Sequence, residues 1–492
     1  MIESRPIYCF ARLVLEAQSE HGVHSGQGDA THDVLLVRDA NGLPALPGTS
    51  LAGVLRHAYA ERHGERETAR LFGQAGKEAQ PSWLTVAWGL VHDSNNRPCE
   101  GLLANVGSED KLLQLLLSAK PMVRQRVRLK HTGTAADKGK FDVTRIPAGV
   151  RYSSWLSYWC DGSPASQAQW TQLLDLLRTQ ALRVGHGTRN GAGQFRVLEL
   201  ASASWDLRTP EGRAAYEKRP RSRKDKQGLQ AQALPDASAG IHVQLDLTAE
   251  AGWRVGGGER SLQNHGQEKV PDLLPQHSMR VDWPQAGPAR IQERLHFLPG
   301  SAIKGALRHR VAYHYRCLMK DWAAADRKPE SYEPENCPAV AALFGQTPEN
   351  QKSDKQASAG LLVFHDVMLP NAQTVVLMHN RIDRFTGGVM HGALFSEEIL
   401  WQTPLQLRID LVGGKRLDEV SKEARQALQR ALEDLASGNL PLGASGSRGL
   451  GVFVDESGAG PRWSDEKQWL NGEAMRAQAH GQAEEQAEKV SA

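Results

Sequence analysis

One stretch of the 492-residue sequence occurs twice, and this repeat limits the possible folds more than any other feature. Residues 46–57 and 298–309 are identical at seven of their twelve positions, from Leu-Pro-Gly at the start to Leu-Arg-His at the end. Three further pairs follow in the same order along the chain, which predicts a duplicated domain. They are Leu-Phe-Gly-Gln at 71–74 and 343–346, a strand-like run ending at His92–Asp93 and at His365–Asp366, and an arginine-bearing glycine loop at 187–195 and, one residue shorter, at 446–453.

The duplication predicts two domains, and a chain of this length can bury a hydrophobic core in each. Residues 1–204 form the first predicted domain and residues 241–460 the second. Residues 205–240 carry the basic run Lys218–Lys226 and little periodic apolar pattern, which is typical of a linker or exposed loop that could also touch phosphate groups. Residues 461–492, rich in Ala, Glu and Gln, are predicted to be a helical or frayed tail.

The numbers of charged residues and cysteines limit the possible binding partners and the cellular compartment of the protein. Lys and Arg total 59 against 56 for Asp and Glu, so affinity for a polyanion must come from local clusters. The five cysteines form no Cys-x-x-Cys pair, so neither a zinc site nor a disulfide framework is expected. No apolar run is long enough for a membrane span and the first residues do not resemble a signal peptide, so a cytoplasmic protein without a membrane partner is expected.

Each copy has the same predicted order of elements. It opens on a strand-like alternation at 8–15 or 241–247, and a polar loop then leads to a helix. Thr49 or Ser301, directly after Pro-Gly, is the predicted N-cap of that helix. Strands follow before and after the glycine loop. Strands on both sides of a packed helix predict an α+β fold with an antiparallel sheet.

Two recurring features are candidates for binding phosphate. A helix N-terminus offers free N–H groups and the positive end of the helix dipole. The glycine loops place an arginine among residues that leave the backbone bare, which favours a clamp on nucleic-acid backbone. An ordinary capped helix and a plain hairpin turn are the alternatives. The candidate residues are Gly48, Thr49, Arg56, Gly300, Ser301, Lys304 and Arg308 at the helices and Gly187, Arg189, Gly191, Gly193, Gly446, Ser447, Arg448, Gly449 and Gly451 in the loops.

The Leu-Pro-Gly-Ser/Thr helix start, the Leu-Phe-Gly run and the late Gly-Ser-Arg-Gly-Leu-Gly loop together resemble the RAMP superfamily of CRISPR-associated proteins. The likeness is strongest to the repeated backbone subunits of type III effector complexes, and a tandem pair resembles the fused subunits of the D subtype. Residues 380–389 and 392–395 are similar to the hairpin region of those subunits, with a weaker echo at 128–133 and Phe141. The resemblance adds Arg128, Arg381 and Arg384 to the candidate RNA-binding residues.

The resemblance implies two tandem RRM-like (ferredoxin-like) RAMP domains, each with an inserted hairpin, or thumb, that pushes between bases. The implied partners are guide CRISPR RNA, complementary target RNA and other CRISPR effector subunits. The family cleaves target RNA with an Asp in the loop after the first strand and Mg²⁺ or another divalent metal. Copy one matches with Asp33, thirteen residues before Leu46. Copy two matches with Asp282, sixteen residues before Leu298, and Asp272 is the rival catalytic and metal-binding residue.

Two alternatives to target cleavage stay open. One or both copies could be a scaffold that only binds RNA and other subunits, and copy two, with the poorer acidic match, is the first candidate. The chain could instead process guide precursors, which in this superfamily depends on a His as general base. Beside Asp33, His24 and His32 lie in the same loop and could assist proton transfer at that site, although a lone loop His is more often only solvated. The His92–Asp93 and His365–Asp366 pairs each end a strand-like run, which favours a capping role over a metal site.

Overall fold

A computed structural model of the chain describes residues 5–26, 35–76, 79–130, 132–179, 181–235, 240–256, 271–346, 357–465 and 469. The chain forms two compact units. Each unit includes two segments whose sequence neighbours on both sides belong to the other unit. The first unit is Met1–Arg126, Phe141–Ser238 and Ser278–Leu295, and the second is Val127–Lys140, Ala239–His277 and His296–Ala492.

Copy one and the residues after it contain ten strands and five α-helices among the described residues. The strands are β1 (Ile7–Ala17), β2 (Ala45–Leu46), β3 (Leu84–Val86), β4 (Gly89–Val91), β5 (Met122–Leu129), β6 (Ala135–Arg145), β7 (Arg151–Cys160), β8 (Leu182–Arg183), β9 (Gln194–Asp206) and β10 (Gln230–Ala231). The helices are α1 (Gly48–His63), α2 (Glu65–Phe72), α3 (Lys111–Leu117), α4 (Pro164–Thr179) and α5 (Pro210–Glu217).

Copy two adds thirteen strands and three α-helices in the described part of the chain. The strands are β11 (His242–Ala249), β12 (Gly252–Trp253), β13 (His277–Asp282), β14 (Arg290–Leu298), β15 (Gly345–Gln346), β16 (Ser358–Ala359), β17 (Leu362–Phe364), β18 (Val367–Leu369), β19 (Thr374–His379), β20 (Phe395–Trp401), β21 (Pro404–Leu411), β22 (Phe453–Val454) and β23 (Arg462–Trp463). The helices are α6 (Gly300–Met319), α7 (Pro338–Phe344) and α8 (Lys422–Ala436), and 3-10 turns span Pro329–Tyr332, Pro334–Asn336, Gly414–Leu417 and Gly446–Arg448.

The first unit is built on an antiparallel sheet in the order β10-β9-β1-β7-β4-β2, with β3 also paired to β7. β1 lies in the middle, and its alternate residues, among them Leu13 and Leu15, face a core that includes Leu51 and Leu55 of α1 and Leu173 of α4. Two-residue alternation along β1 and helical spacing along α1 thus meet in one core, as the sequence predicts.

The opposite face of this sheet is covered as well. Phe10 of β1 packs there with Trp205 and Leu207, and Tyr216 and Leu229 border the cluster. These last residues belong to the stretch 205–240 predicted as a linker, which contains α5 and the strand β10 that pairs with β9. Within the basic run, Arg223 binds Glu100 at 3.0 Å and stacks on Trp155. Ordered structure therefore occupies much of this stretch.

The second unit repeats the design with a smaller sheet, β17-β21-β11-β22, and β23 pairs with the same edge of β11 as β22. Val243, Leu245 and Leu247 of β11 pack against Ile303 and Leu307 of α6. The other face of β11 carries polar residues such as Gln244 and Asp246, and Asp246 is exposed. The alternation of apolar and polar residues in β11 is that of a sheet packed on one face.

The predicted N-caps are wrong in both copies. α1 and α6 begin at Gly48 and Gly300, so the N-cap residues are Pro47 and Pro299, whose own side chains make no capping hydrogen bond. A Cβ on Gly48 would lie 2.1 Å from the Val86 oxygen, so only glycine lets the helix start approach the end of β3 this closely. The close approach, rather than a hydroxyl cap, sets where the helix begins.

Both predicted hairpin insertions are present. β5 and β6 pair with one another in copy one, and β19 and β20 pair in copy two. The turn of the first hairpin is closed by Lys130 N–H, which donates to the Thr134 oxygen.

Among the described residues, no helix is long and apolar enough to cross a bilayer.

Candidate functional site

The two glycine loops have the same backbone. Residues 185, 187, 191 and 193 have positive φ angles, and so do residues 443, 445, 449 and 451. Asn190 N–H donates to the Gly187 oxygen, and Arg448 N–H donates to the Ser445 oxygen. The predicted one-residue difference in length is therefore wrong: Ser445, with a φ of 62°, occupies the place of Gly187, and Arg448 occupies the place of Asn190.

Each loop is pressed against backbone at both ends. A Cβ on Gly185 would lie 2.3 Å from the Gly22 oxygen, and one on Gly443 would lie 2.4 Å from the Arg254 oxygen. Gly193 and Gly451 would meet the oxygens of Val184 and Leu442 at 2.3 and 2.1 Å. These glycines are needed for close approach as well as for their positive φ angles.

Hydrogen bonds join each loop to the segment that follows the first strand of its copy. His186 N–H donates to the Gly22 oxygen at 3.0 Å, and Ala444 N–H donates to the Arg254 oxygen at 2.8 Å. Gly22 and Arg254 therefore occupy equivalent places. In each copy this segment is the start of the loop in which the family's acidic residue is expected.

The same kind of bond shows which aspartate of copy two has the sequence position that Asp33 has in copy one. Val37 N–H donates to the Val23 oxygen in copy one, and Gln276 N–H donates to the Val255 oxygen in copy two. Bridges join His24 with Leu36 and Gly256 with Pro275. Pro275 is therefore equivalent to Leu36, and Asp272 precedes it by three residues, as Asp33 precedes Leu36 in the sequence. Asp33 itself lies outside the described residues.

Asp282 has a different place in the fold. Copy one makes a short turn between Arg38 and Pro44, which form a bridge, whereas copy two carries the hairpin of β13 and β14 at this point. Asp282 ends β13 within that extra hairpin, and its Oδ1 lies 3.2 Å from Arg280 Nε. The count of sixteen residues back from Leu298 includes residues that copy one does not have, so the count places Asp282 at the wrong position of the repeat.

Asp272 lies beside the second thumb, next to the first residues of β20. Its Oδ2 accepts hydrogen bonds from the backbone N–H of Ser396 at 2.8 Å and from the Ser396 hydroxyl at 3.1 Å. The next residue, Leu273, forms a parallel bridge with Glu397. Asp272 is exposed, and one of its carboxylate oxygens is thus held in place by the first residues of β20.

The third repeat landmark is also wrong. Leu46 pairs with Gly89 of β4, and Leu298 pairs with Val367 of β18. Gly89 and Val367 are therefore equivalent. His365–Asp366 directly precede Val367, so they are equivalent to residues 87–88 and not to His92–Asp93. The two His-Asp pairs have the same residue types but occupy different places in the two copies.

Carboxylates and imidazoles of these pairs have ordinary partners. Asp366 Oδ1 accepts a hydrogen bond from Gly300 N–H at 2.7 Å, so it caps the start of α6. His365 bonds to Asp410 and His92 to Ser153. Across the described ranges, no three His, Cys, Asp or Glu side chains group closely enough to hold a metal ion. The prediction was a capping role at a strand end, and Asp366 instead caps the start of a helix.

Three predicted RNA-binding arginines bond within the protein. Arg56 donates to the Gly73 oxygen at 2.7 Å. Arg128 and Arg308 both lie close to Glu335 Oε1, at 3.1 and 3.0 Å. Burial of the Glu335 carboxyl opposes its ionisation, but the charges of Arg308 and Arg128 outweigh this effect and lower its pKa. Lys304 and Arg189 are half-buried, whereas Arg448 is exposed in its loop.

The second thumb ends in an exposed apolar tip. Phe385 is 97% exposed, and Ile382 and Val389 around it are more than half exposed. Arg381 and Arg384 are exposed on the same tip. Asp383 Oδ1 accepts hydrogen bonds from the N–H groups of Phe385 and Thr386, so the tip is an ordered turn. The first thumb also exposes apolar side chains, those of Val127, Leu129 and Phe141.

Two buried ion pairs near the loops were not predicted. In copy one, Arg124 of β5 binds Glu20 through Nε at 2.7 Å. In copy two, Arg254 binds Glu397 of β20 at 2.8 Å. Each pair joins the segment after the first strand to a thumb strand, with the charges reversed. In the sequence, such a pair is indicated only by a charged residue at a strand position that faces the core.

Burial makes His21, His24 and His92 of the first unit poor proton acceptors. Loss of hydration lowers the pKa of His21 to about 3 and that of His92 to about 4. The pKa of His24 is also lowered, first by burial and then by the charge of Arg145, against a hydrogen bond to the Thr144 oxygen that raises it. His24 is therefore neutral at pH 7.

The free energy of unfolding of the first unit is expected to fall as pH drops from 6.5 toward 4. The unfolded chain takes up protons at His21 and His92 in this window and the folded chain does not, so each imidazole costs about 2 kcal/mol at pH 5. Urea unfolding at pH 7 and pH 5 measures the loss, which should shrink in His92→Gln. His57→Gln, with a side chain 75% exposed, is the control. Equal losses in all three proteins would contradict the prediction.

A family model described as the RAMP superfamily matches residues 15–196 and 249–454. Among solved structures, one similar chain belongs to an entry described as "Type III-B Cmr-beta Cryo-EM structure of the Apo state", with a TM-score of 0.29 and 12% sequence identity over 38% of this chain and 96% of that chain. No curated protein matches the chain.

Proposed function

The chain belongs to the RAMP superfamily, and from this premise we propose that it is a tandem backbone subunit of a type III CRISPR ribonucleoprotein, of the D subtype, that binds guide RNA and cleaves paired target RNA. Its fold is α+β, with two tandem RRM-like RAMP domains. One observation carries the proposal: in both copies an aspartate precedes the same backbone bridge by three residues, next to glycine loops of the same conformation.

RNA contacts are expected at the glycine loops and the thumbs. The loops leave backbone groups bare, and Arg448 is exposed in the loop of copy two. On the second thumb, the exposed Phe385 can stack on a base while Arg381 and Arg384 reach phosphates. Arg56, Arg128 and Arg308 are expected to contribute less, because each already bonds to a protein group.

Asp33 and Asp272 are the proposed catalytic residues, and Asp272 takes the place that the sequence assigned to Asp282. A single carboxylate suits Mg²⁺, which keeps several waters and accepts phosphate oxygens as further ligands. Asp272 would hold the ion through its exposed carboxylate, which Ser396 keeps oriented. When bound, the ion would supply positive charge to the phosphate under attack. The base pairs between guide and target would select the sequence.

Reconstitution of the full complex with guide RNA and labelled target RNA tests the proposal. We expect Mg²⁺-dependent cuts, one lost in Asp33→Asn and another in Asp272→Asn, with guide binding unchanged in both. The cut assigned to copy two should persist in Asp282→Asn, the matched control with a carboxylate in the extra hairpin. Loss of that cut in Asp282→Asn but not in Asp272→Asn would restore the assignment made from the sequence.

A scaffold role without cleavage is the second candidate for copy two. Two contacts favour it. The start of α6 is capped by Asp366 and Arg308 is bound to Glu335, so this helix is a weaker phosphate-binding site than the sequence suggested. If Asp272→Asn and Asp282→Asn both leave every cut in place, copy two is a scaffold. Efficient metal-independent cleavage of precursor repeat RNA by the isolated chain would instead indicate guide processing.

A further inference from the structure

A buried ion pair in the second unit lies between the glycine loop and the second thumb. The side chain of Arg254 is 9% exposed and that of Glu397 is 0% exposed, and Arg254 Nε lies 2.8 Å from Glu397 Oε1. His379 Nε2 lies 3.0 Å from the other oxygen of Glu397. Burying two charges costs free energy that their attraction offsets only in good geometry, so the pair is weak evidence for stability alone.

The backbone of Arg254 supports the glycine loop. Its carbonyl oxygen accepts a hydrogen bond from Ala444 N–H at 2.8 Å, and a Cβ on Gly443 would lie 2.4 Å from the same oxygen. A movement of Arg254 therefore moves the loop that carries Arg448.

The other partner, Glu397, is adjacent to the residue that holds Asp272. Ser396 donates to Asp272 Oδ2 through its N–H and its hydroxyl. Leu273 N–H donates to the Ser396 oxygen at 3.1 Å, and Glu398 N–H donates to the Leu273 oxygen at 2.9 Å. The position of Asp272 thus follows the position of the first residues of β20.

Together these contacts close a ring. Val255 follows Arg254 in the chain, and its oxygen accepts a hydrogen bond from Gln276 N–H at 2.7 Å. Asp272 lies four residues before Gln276 in the sequence. Asp272 is held by Ser396, and Glu397 returns to Arg254 through the ion pair. In this ring the Arg254–Glu397 contact is the side-chain link between the loop and the thumb.

We propose that Arg254 and Glu397 are positioning residues, which hold Asp272 at a fixed place relative to the glycine loop of copy two. This inference rests on the proposed function of Asp272. Copy one supports it, because Glu20 and Arg124 join the equivalent segment to the first thumb by another buried pair of opposite polarity. A catalytic group displaced by about 1 Å loses on the order of 100-fold in rate.

The test compares two cuts made by one chain in the assembled ribonucleoprotein. In Glu397→Gln and in Arg254→Met, we expect the single-turnover rate of the copy-two cut to fall on the order of 10- to 100-fold relative to the copy-one cut, with target RNA affinity unchanged. A merely destabilised chain lowers the amount of complex and hence both cuts equally, so the ratio isolates positioning. Asp246→Asn, which removes the exposed pair with Arg462, is the matched control and keeps the ratio.

The outcomes separate this inference from the proposed function. An unchanged ratio in Glu397→Gln and Arg254→Met, while Asp272→Asn removes the copy-two cut, overturns the positioning role. A copy-two cut that survives in Asp272→Asn overturns the proposed function instead.

Discussion

Replacing Glu20 by Gln is expected to lower the free energy of unfolding of the first unit by about 3 to 5 kcal/mol. Arg124 and Glu20 are both almost fully buried, and Ser278 also donates to the Glu20 carboxylate at 2.6 Å. Without the negative charge, the Arg124 guanidinium stays in a medium of low dielectric constant with no carboxylate to balance it. Urea unfolding monitored by tryptophan fluorescence measures the loss.

Two further variants test whether the loss of stability comes from the unbalanced buried charge. The double variant Glu20→Gln with Arg124→Met removes both charges and should recover much of the loss. Asp175→Asn breaks the ion pair with Arg178, in which the Asp175 side chain is 53% exposed, and should cost less than about 1 kcal/mol. If Glu20→Gln costs no more than Asp175→Asn, the buried pair does not behave as a coupled unit.

Gly451→Ala is expected to destabilise the second unit by about 2 to 5 kcal/mol. An alanine at a φ of +74° costs about 1 to 2 kcal/mol, and its Cβ would lie 2.1 Å from the Leu442 oxygen, so the backbone must also shift. Gly193→Ala should do the same in the first unit, where the nearest atom is the Val184 oxygen at 2.3 Å. Chemical denaturation of the full chain measures both changes.

The chain offers glycines that separate the two causes. Gly449 has a φ of +84° with no atom within 4 Å of a built Cβ, so Gly449→Ala should show the backbone strain alone. Gly53 and Gly305 lie inside helices with open space around them, and alanine there should stabilise by about 0.5 to 1 kcal/mol. Equal effects of Gly449→Ala and Gly451→Ala would mean that close packing against Leu442 adds nothing.

The duplication and the antiparallel α+β fold could be predicted from the sequence, because each leaves a local pattern, whereas the two thumbs were implied by the resemblance to the RAMP superfamily. Leu13 and Leu15 alternate with polar or outward residues along β1, and Leu51 and Leu55 recur at helical spacing in α1. The resemblance placed the second hairpin region at residues 380–389 and 392–395, and Arg381 and Arg384 are exposed there. Local patterns of this kind depend on a few neighbouring residues only.

The exact alignment of the two copies could not be predicted from the sequence. An insertion in one copy changes the number of residues between two matched positions, and no short sequence pattern marks it. The hairpin of β13 and β14 separates Asp272 from Leu298, and so a count from Leu298 reaches Asp282 first. In the glycine loop, Ser445 adopts the positive φ that the sequence suggested for a glycine, which produced an alignment with a false gap. Hydrogen bonds between distant residues, such as Gln276 with Val255, resolve both errors.

The membership of residues 278–295 in the first unit affects how the protein can be made. Val281 is buried in the core of that unit, and Trp283 donates through its indole N–H to the Gly149 oxygen. A ribosome adds about 5 to 20 residues per second, so the first unit waits several seconds after residue 240 for its last piece to be synthesised. Folding during translation therefore cannot finish one repeat before starting the next, and a fragment that stops at residue 240 would lack part of its own interior.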